Sequence, residues 1–249
     1  MSSGPEAFVI TTLPINILKS AITMPRSSTL TPSGQTLANA LVQTSAVCIA
    51  TERPFFYTSG WASPVYLKTS GIMSAPQIRK HVMDAAASLL KPIVQQQGIN
   101  TVVGVESSGI ALGAYLAERL NLPFLYLRKR ALGWGTDGQL EGQPPAHAKA
   151  LLVDDVTTDG RSKVEACLTL RRCGVDVLDA FVLLSFGIYP NQQRQFDQYD
   201  LKLHAMLSWQ DLLAVIMQAS TLTHSQLQDL QAFTSDPVQW SVSHGGAAQ

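Results

Sequence analysis

The stretch Ala148 to Arg172 reads AKALLVDDVTTDGRSKVEACLTLRR. A short apolar run, Ala150 to Val153, precedes two carboxylates, Asp154 and Asp155. A polar loop follows, and then Val164, Cys167, Leu168 and Leu170 recur at helical spacing until Gly174. This is the pattern of a buried strand, a loop and a helix. The loop opens the helix, so backbone N–H groups and the positive end of the helix dipole face outward together, which favours an anion. Gly160 allows a sharp bend, and Thr157, Thr158 and Ser162 add hydroxyl donors. Adjacent acids at a strand end suit ribose hydroxyls or a hydrated Mg²⁺. On spacing alone two readings stand: a sugar-phosphate site, or a strand ending in solvated acids with Asp159 or Ser162 as an ordinary helix cap.

Two further strand ends carry chemistry. Thr101 to Val105 leads into Glu106-Ser107-Ser108-Gly109 and a helix from about Ile110 to Leu120. Its amides could hold a pyrophosphate, or the segment could be a plain turn. Pro123 to Leu127 delivers Arg128, Lys129 and Arg130 into a Gly- and Pro-rich run without periodicity, through Pro145. Long aperiodic loops in compact domains are often lids, and clustered cations suit a polyphosphate; a solvated basic strand end is the competing reading. Strands over Asp179–Ser185 and Leu201–Leu207 complete a set of five that alternates with helices. The expected fold class is α/β, a doubly wound and mostly parallel sheet, with ligands beyond the carboxyl ends of the strands.

Upstream, Ser33 can cap a helix to about Ala50, and Pro76 opens a long helix ending near Gly98. Between them, Phe55 to Leu67 (FFYTSGWASPVYL) reads as an aromatic hairpin turned at Ser59-Gly60 and Ser63-Pro64. It could cover a flat polar ring or simply pack as a hairpin. Downstream, Asn191 to Tyr199 reads as a surface helix and Trp209 to Met217 as an amphipathic one. Thr223 and Gln226 form a capping box, and the tail to Gly246 docks or frays.

The acid-pair stretch resembles the phosphoribosyl pyrophosphate (PRPP) signature of type I phosphoribosyltransferases, and VDDVTTDGRSK is most similar to the orotate phosphoribosyltransferases. The hairpin resembles the same family's N-terminal hood, F-x-x-x-SG-x-x-SP-x-Y, although Lys68 stands where an acid is frequent. GVESSGIALGAYLAERLNLPFLYLRK resembles its pyrophosphate segment. The resemblance covers about Thr36 to Gly246 and implies transfer of phosphoribosyl from PRPP to orotate, giving orotidine 5′-monophosphate in pyrimidine (UMP) synthesis. It implies Asp154 and Asp155 on the ribose hydroxyls, directly or through Mg²⁺. It places Thr157, Thr158, Asp159, Gly160, Arg161 and Ser162 on the 5′-phosphate, and Ser107, Ser108 and Gly109 with Arg128 and Lys129 on pyrophosphate. Phe56 or Tyr57 with Ser59, Gly60 and Thr158 would face orotate. Arg161 replaces a small residue common in the family. A homodimer is implied, its mobile loop reaching into the partner's site.

That loop departs from the family at one position. Arg128 and Lys129 match its R-K pair, and Gly133, Gly135, Glu141 and Gly142 match the frame, but Leu132 occupies the lysine position and Trp134 stands where a His or an aromatic residue is common. A leucine cannot neutralise departing pyrophosphate. The expectation is reduced activity unless Arg130 substitutes; the alternative is a catalytically impaired PRPP- or nucleotide-binding paralogue with a regulatory role.

The chain has 249 residues, 46% of them apolar, and zero formal net charge. That supports one sizeable core and gives no electrostatic case for nucleic acid or an anionic membrane. Cys48, Cys167 and Cys173 lack metal-ligand spacing and fit a reducing cytoplasm. No apolar run is long enough for a membrane span. Residues 1–32 lack periodicity and a signal-peptide pattern, and are expected to be a disordered or loosely docked extension. Residues 33–249 then form the phosphoribosyltransferase-like domain: a hood over 33–75, a core over 76–207 and C-terminal helices over 208–249.

Overall fold

The structure, a computed structural model, describes residues 11–12, 30–131, 136–219 and 222–248. In chain order its strands are β1 (Thr11–Thr12), β2 (Val47–Ile49), β3 (Phe55–Phe56), β4 (Ala62–Ser63), β5 (Val65–Leu67), β6 (Thr101–Val105), β7 (Phe124–Leu127), β8 (Leu140–Glu141), β9 (Lys149–Val153), β10 (Val156–Thr157), β11 (Asp176–Ser185) and β12 (Lys202–Ser208). The helices are α1 (Pro32–Gln43), α2 (Ser70–Ser74), α3 (Pro76–Gln97), α4 (Ser108–Leu120), α5 (Arg161–Arg172), α6 (Gln192–Gln198), α7 (Trp209–Ala219), α8 (His224–Ser235) and α9 (Pro237–Ser243).

The central sheet runs β12, β11, β9, β6, β7, β8. The short β10 extends the β9 side by pairing with Leu184 and Ser185 of β11. All its pairings are parallel except β7 with β8. The strands are apolar on both faces because both are covered. Val102, Leu151, Val153 and Phe181 join the core formed with α1, α3, α4 and the C-terminal helices. Val103, Ala150, Leu152 and Val177 join the one formed with α5 and α6. This is the doubly wound, mostly parallel sheet that the strand–helix alternation predicts.

The hood differs in detail from the sequence reading. Thr31, not Ser33, caps the first helix: its hydroxyl accepts from Gly34 N at 3.1 Å, with Pro32 at the first helical position. That helix stops at Gln43, and Val47–Ile49 becomes a strand pairing antiparallel with both β1 and β5. β-branched Val47 and Ile49 suit the pleated, fully buried position they take. The aromatic stretch is thus split: β3 and β4 form the hairpin and β5 joins a separate three-stranded sheet. Thr11–Thr12 lies within the segment read as an extension and adds a strand to that sheet; the rest of residues 1–29, expected to be disordered or loosely docked, lies outside the described residues. The loop after β7 also departs from expectation. Thr136–Gln139 forms a 3-10 turn and Leu140–Glu141 returns to pair with Leu127 and Tyr126. Leu132, Gly133, Trp134 and Gly135 lie outside the described residues.

Candidate active site

β9, β6 and β7 are neighbours in the parallel sheet, so the loops after Val153, Val105 and Leu127 emerge side by side at one edge. Two glycines make that convergence close. A Cβ on Gly109, in the first turn of α4, would sit 2.3 Å from Val153 O and 3.1 Å from Asp154 Cα. A Cβ on Gly104 would sit 2.3 Å from Gly109 O. No side chain fits at either position, so the start of α4 lies directly against the acid-bearing end of β9. Lys129 N donates to Glu106 Oε2 at 2.9 Å and ties the third loop to the second.

The acid pair is held by the protein itself. Asp154 Oδ2 accepts from Lys163 Nζ at 2.5 Å, with the lysine side chain 3% exposed and the aspartate 14%. Asp154 Oδ1 accepts from Asp155 N at 3.0 Å. Asp155 Oδ2 accepts from Thr69 Oγ1 at 2.9 Å and Oδ1 from Val156 N at 2.8 Å. Burial pushes the Asp154 carboxyl above the ordinary carboxylate range, and the Lys163 charge and hydrogen bond pull it part of the way back. Lys163→Met removes that pull, so the carboxyl is expected to titrate higher still; a carbon-detected NMR titration of Asp154 checks this, and an unchanged or lower value would contradict it.

The phosphate loop begins at β10 and ends at Gly160, which holds φ +89° at the cap of α5. The positive φ favours glycine, and a Cβ there would meet the Phe196 ring at 2.8 Å. Neither Asp159 nor Ser162 caps the helix, which corrects the simpler sequence reading: among the described residues Gly160 is the cap, without a side-chain bond. Of the first-turn amides, Arg161 N donates to Asp159 Oδ1 at 3.2 Å and Lys163 N to Gly160 O at 3.0 Å. Ser162 is exposed, and its Oγ accepts from Lys163 Nζ at 3.1 Å. Thr158 is buried, and its carbonyl accepts from Gln192 Nε2 at 2.8 Å. Thr157 is also buried, and its hydroxyl has no hydrogen-bond partner among the described residues.

Two predicted site residues are turned elsewhere. Asp159, expected on phosphate, directs its carboxylate to Trp61 Nε1 at 2.8 Å and Arg161 Nε at 2.6 Å. Tyr57, expected near the base, faces inward: its ring packs edge-on to Phe186 and its hydroxyl donates to Val65 O at 2.9 Å. Phe56 is 58% exposed. Ser59 lies at the hairpin turn with a buried Oγ that has no partner among the described residues, and Gly60 O accepts from Ala247 N. At the third loop, Arg128 Nε donates to Glu141 Oε1 at 2.7 Å across β7 and β8, while Lys129 and Arg130 are exposed. Ser107 is exposed at the cap of α4, and Ser108 is half-buried beside it.

Sequence reasoning passed over Lys163, Trp61 and Thr69. Lys163 carried a signal: with Cys167 and Leu170 it occupies i, i+4 and i+7, so it lies on the buried face of α5 and needs a partner. Thr69 and Trp61 carried none, because their partners are 86 and 98 residues away.

Among the described residues no group of three His, Cys, Asp or Glu side chains is arranged to hold a metal, and no helix is long and apolar enough to cross a membrane. All four oxygens of the acid pair already accept hydrogen bonds within the chain. Such a pair suits Mg²⁺ held largely by substrate oxygens and water rather than a dedicated protein cage.

Comparison with known proteins agrees with this geometry. Residues 69–209 match the phosphoribosyl transferase domain family. The chain is 35% identical over 213 residues to the orotate phosphoribosyltransferase of Rhizobium rhizogenes, covering 86% of this chain and 92% of that one. It is 32% identical over 223 residues to that of Jannaschia sp., covering 90% and 96%. Among solved structures, the orotate phosphoribosyltransferase of Aeropyrum pernix superposes with a TM-score of 0.59 at 28% identity, over 74% of this chain and 99% of that one. Leishmania donovani UMP synthase shares the fold with a TM-score of 0.67 at 22% identity, over 82% of this chain and 42% of that one. A chain with this sheet, this paired-acid strand end and this extent of similarity belongs to the orotate phosphoribosyltransferase family.

Proposed function

We propose that this chain transfers the phosphoribosyl group of PRPP to orotate, releasing pyrophosphate and forming orotidine 5′-monophosphate in UMP synthesis. The observation that carries the proposal is the packing of three strand-end loops at one sheet edge: paired acids, a small-residue turn pressed onto them through Gly109, and a basic strand end. The relatives' names supply the base. The alternative of a regulatory, catalytically impaired paralogue draws no support from these comparisons, and neither does the reduced activity expected from Leu132.

In this reading the amides of Gly160 and Ser162 hold the 5′-phosphate at the positive end of α5. Asp154 and Asp155 accept from the ribose hydroxyls and stabilise positive charge as the ring becomes oxocarbenium-like. Ser107, Ser108 and the Gly109 amide receive pyrophosphate, with Arg128, Lys129 and Arg130 supplying charge at the rim. Ser59 and Gly60 meet the base, and the unpartnered Ser59 hydroxyl supports that role. A Mg²⁺ ion bound with PRPP would neutralise part of the diphosphate charge. A homodimer that shares the loop after β7, and a cytoplasmic location, belong to the same proposal.

The test is loss of orotate absorbance with purified protein, PRPP and Mg²⁺. Turnover with orotate, abolished by EDTA and absent with hypoxanthine or uracil, is the expected result. Folded protein that leaves orotate unchanged would overturn the assignment.

A further inference from the structure

The phosphate loop and the base-side hairpin are cross-linked twice. Asp159 Oδ2 accepts from Trp61 Nε1 at 2.8 Å and from Arg161 Nε at 2.6 Å, and its Oδ1 accepts from Arg161 N at 3.2 Å. Arg161 Nη2 then reaches Ser59 O at 3.4 Å. The aspartate is 5% exposed and Trp61 2%, with the indole packed 4.8 Å from the Tyr189 ring between centroids. Hydrogen bonds to an ionised carboxylate are about twice as strong as neutral ones, so this is a firm connection between segments 98 and 102 residues apart.

The other side of the hairpin is anchored to the C-terminal tail. Ala62 N donates to Ser241 Oγ at 3.0 Å, Ser241 Oγ donates to Ala247 O at 2.8 Å, and Ala247 N donates to Gly60 O at 2.8 Å. The hairpin tip therefore lies between a docked tail and the loop after β10. A ligand that orders the loop also fixes Asp159, and through it Trp61, Ser59 and Gly60.

We infer that Asp159 is a positioning residue that latches the base-side hairpin to the phosphate loop, so that filling the phosphate subsite prepares the base subsite. The inference rests on the subsite assignments proposed above. Its physical basis is shared ordering: the second ligand meets a hairpin whose freedom has already been reduced. The coupling is reciprocal, and between sites of this kind it is on the order of 10-fold in affinity.

Ribose 5-phosphate is a probe that fills the phosphate side without a base. Hydrogen exchange on the full chain is expected to show that it protects amides of both 157–164 and 55–63. In Trp61→Phe and Asp159→Ala the protection is expected to be confined to 157–164. Because the coupling is reciprocal, the affinity for each substrate in the presence of the other should fall on the order of 10-fold in both variants, while ribose 5-phosphate alone binds within about threefold of the parent. Asp159→Ala removes the acceptor for Trp61 Nε1 and carries the test if Trp61→Phe does not fold. Arg161→Met, on a side chain 42% exposed, removes the Ser59 contact and the Asp159 ion pair but leaves the Trp61 bond, and should give a smaller shift. Hairpin protection that persists in both variants would overturn the latch, and so would weakened binding of ribose 5-phosphate alone, which marks a general loss of structure. Protection of 157–164 without the hairpin in the parent chain would sink the latch alone. No protection anywhere in the parent would remove the phosphate assignment itself, and the latch with it.

Discussion

Asp154→Asn is expected to lower turnover by about 10²–10³-fold and to destabilise the fold by as much as about 3–5 kcal/mol. The two effects have different origins. Turnover falls because, in the proposed assignment, the carboxylate at the end of β9 is the charge facing the ribose as it becomes positive. Stability falls because Lys163, 3% exposed, keeps its charge while losing its 2.5 Å partner. An amide still offers an acceptor, so the stability loss should lie toward the lower end of that range. The double variant Asp154→Asn with Lys163→Met separates the effects. Replacing a buried ion pair by groups of similar volume is often neutral or stabilising, so the double variant should regain most of its denaturation midpoint and none of its turnover. Urea unfolding and orotate consumption measured on the same preparations decide it. Recovery of both would show that Asp154 serves only to neutralise Lys163.

Gly109→Ala makes the second large effect. Its Cβ would meet Val153 O at 2.3 Å and Asp154 Cα at 3.1 Å, both main-chain atoms that cannot rotate away. The first turn of α4 must move off β9, and the loop that receives pyrophosphate moves with it. Overpacking of this kind costs about 1–3 kcal/mol, and displacing a binding group by about 1 Å can cost 10²-fold in rate. A midpoint lowered by about 2–4 °C per kcal/mol, with turnover down about 10²-fold, is the expected pair of results. Unimpaired turnover would mean that the close approach of α4 to β9 does not position the reacting groups.

Other positions inform these two. The raised Asp154 carboxyl follows from burial, and burial follows from the packing of α4 and α5 around the end of β9. The Asp159 latch belongs to the same edge but acts on the hairpin rather than on the ribose.

The sequence by itself determined the sheet and most of its helices. Apolar runs such as Ala150–Val153 and helical spacing such as Val164, Cys167 and Leu170 are local patterns, set by the periods of strand and helix. Caps are local too, and the Thr223–Gln226 box forms as its spacing requires. An anion site at a helix start needs only neighbouring residues, so the acid pair and the loop after it were legible. The tertiary structure decided what each side chain meets across long separations. It turned Asp159 to Trp61, brought Thr69 to Asp155, faced Tyr57 inward and returned Leu140–Glu141 to the sheet edge. Those outcomes depend on how distant elements pack and on strand register, where a shift of one residue reverses every side chain. The composition of a segment does not contain that information; the contacts that close the fold do.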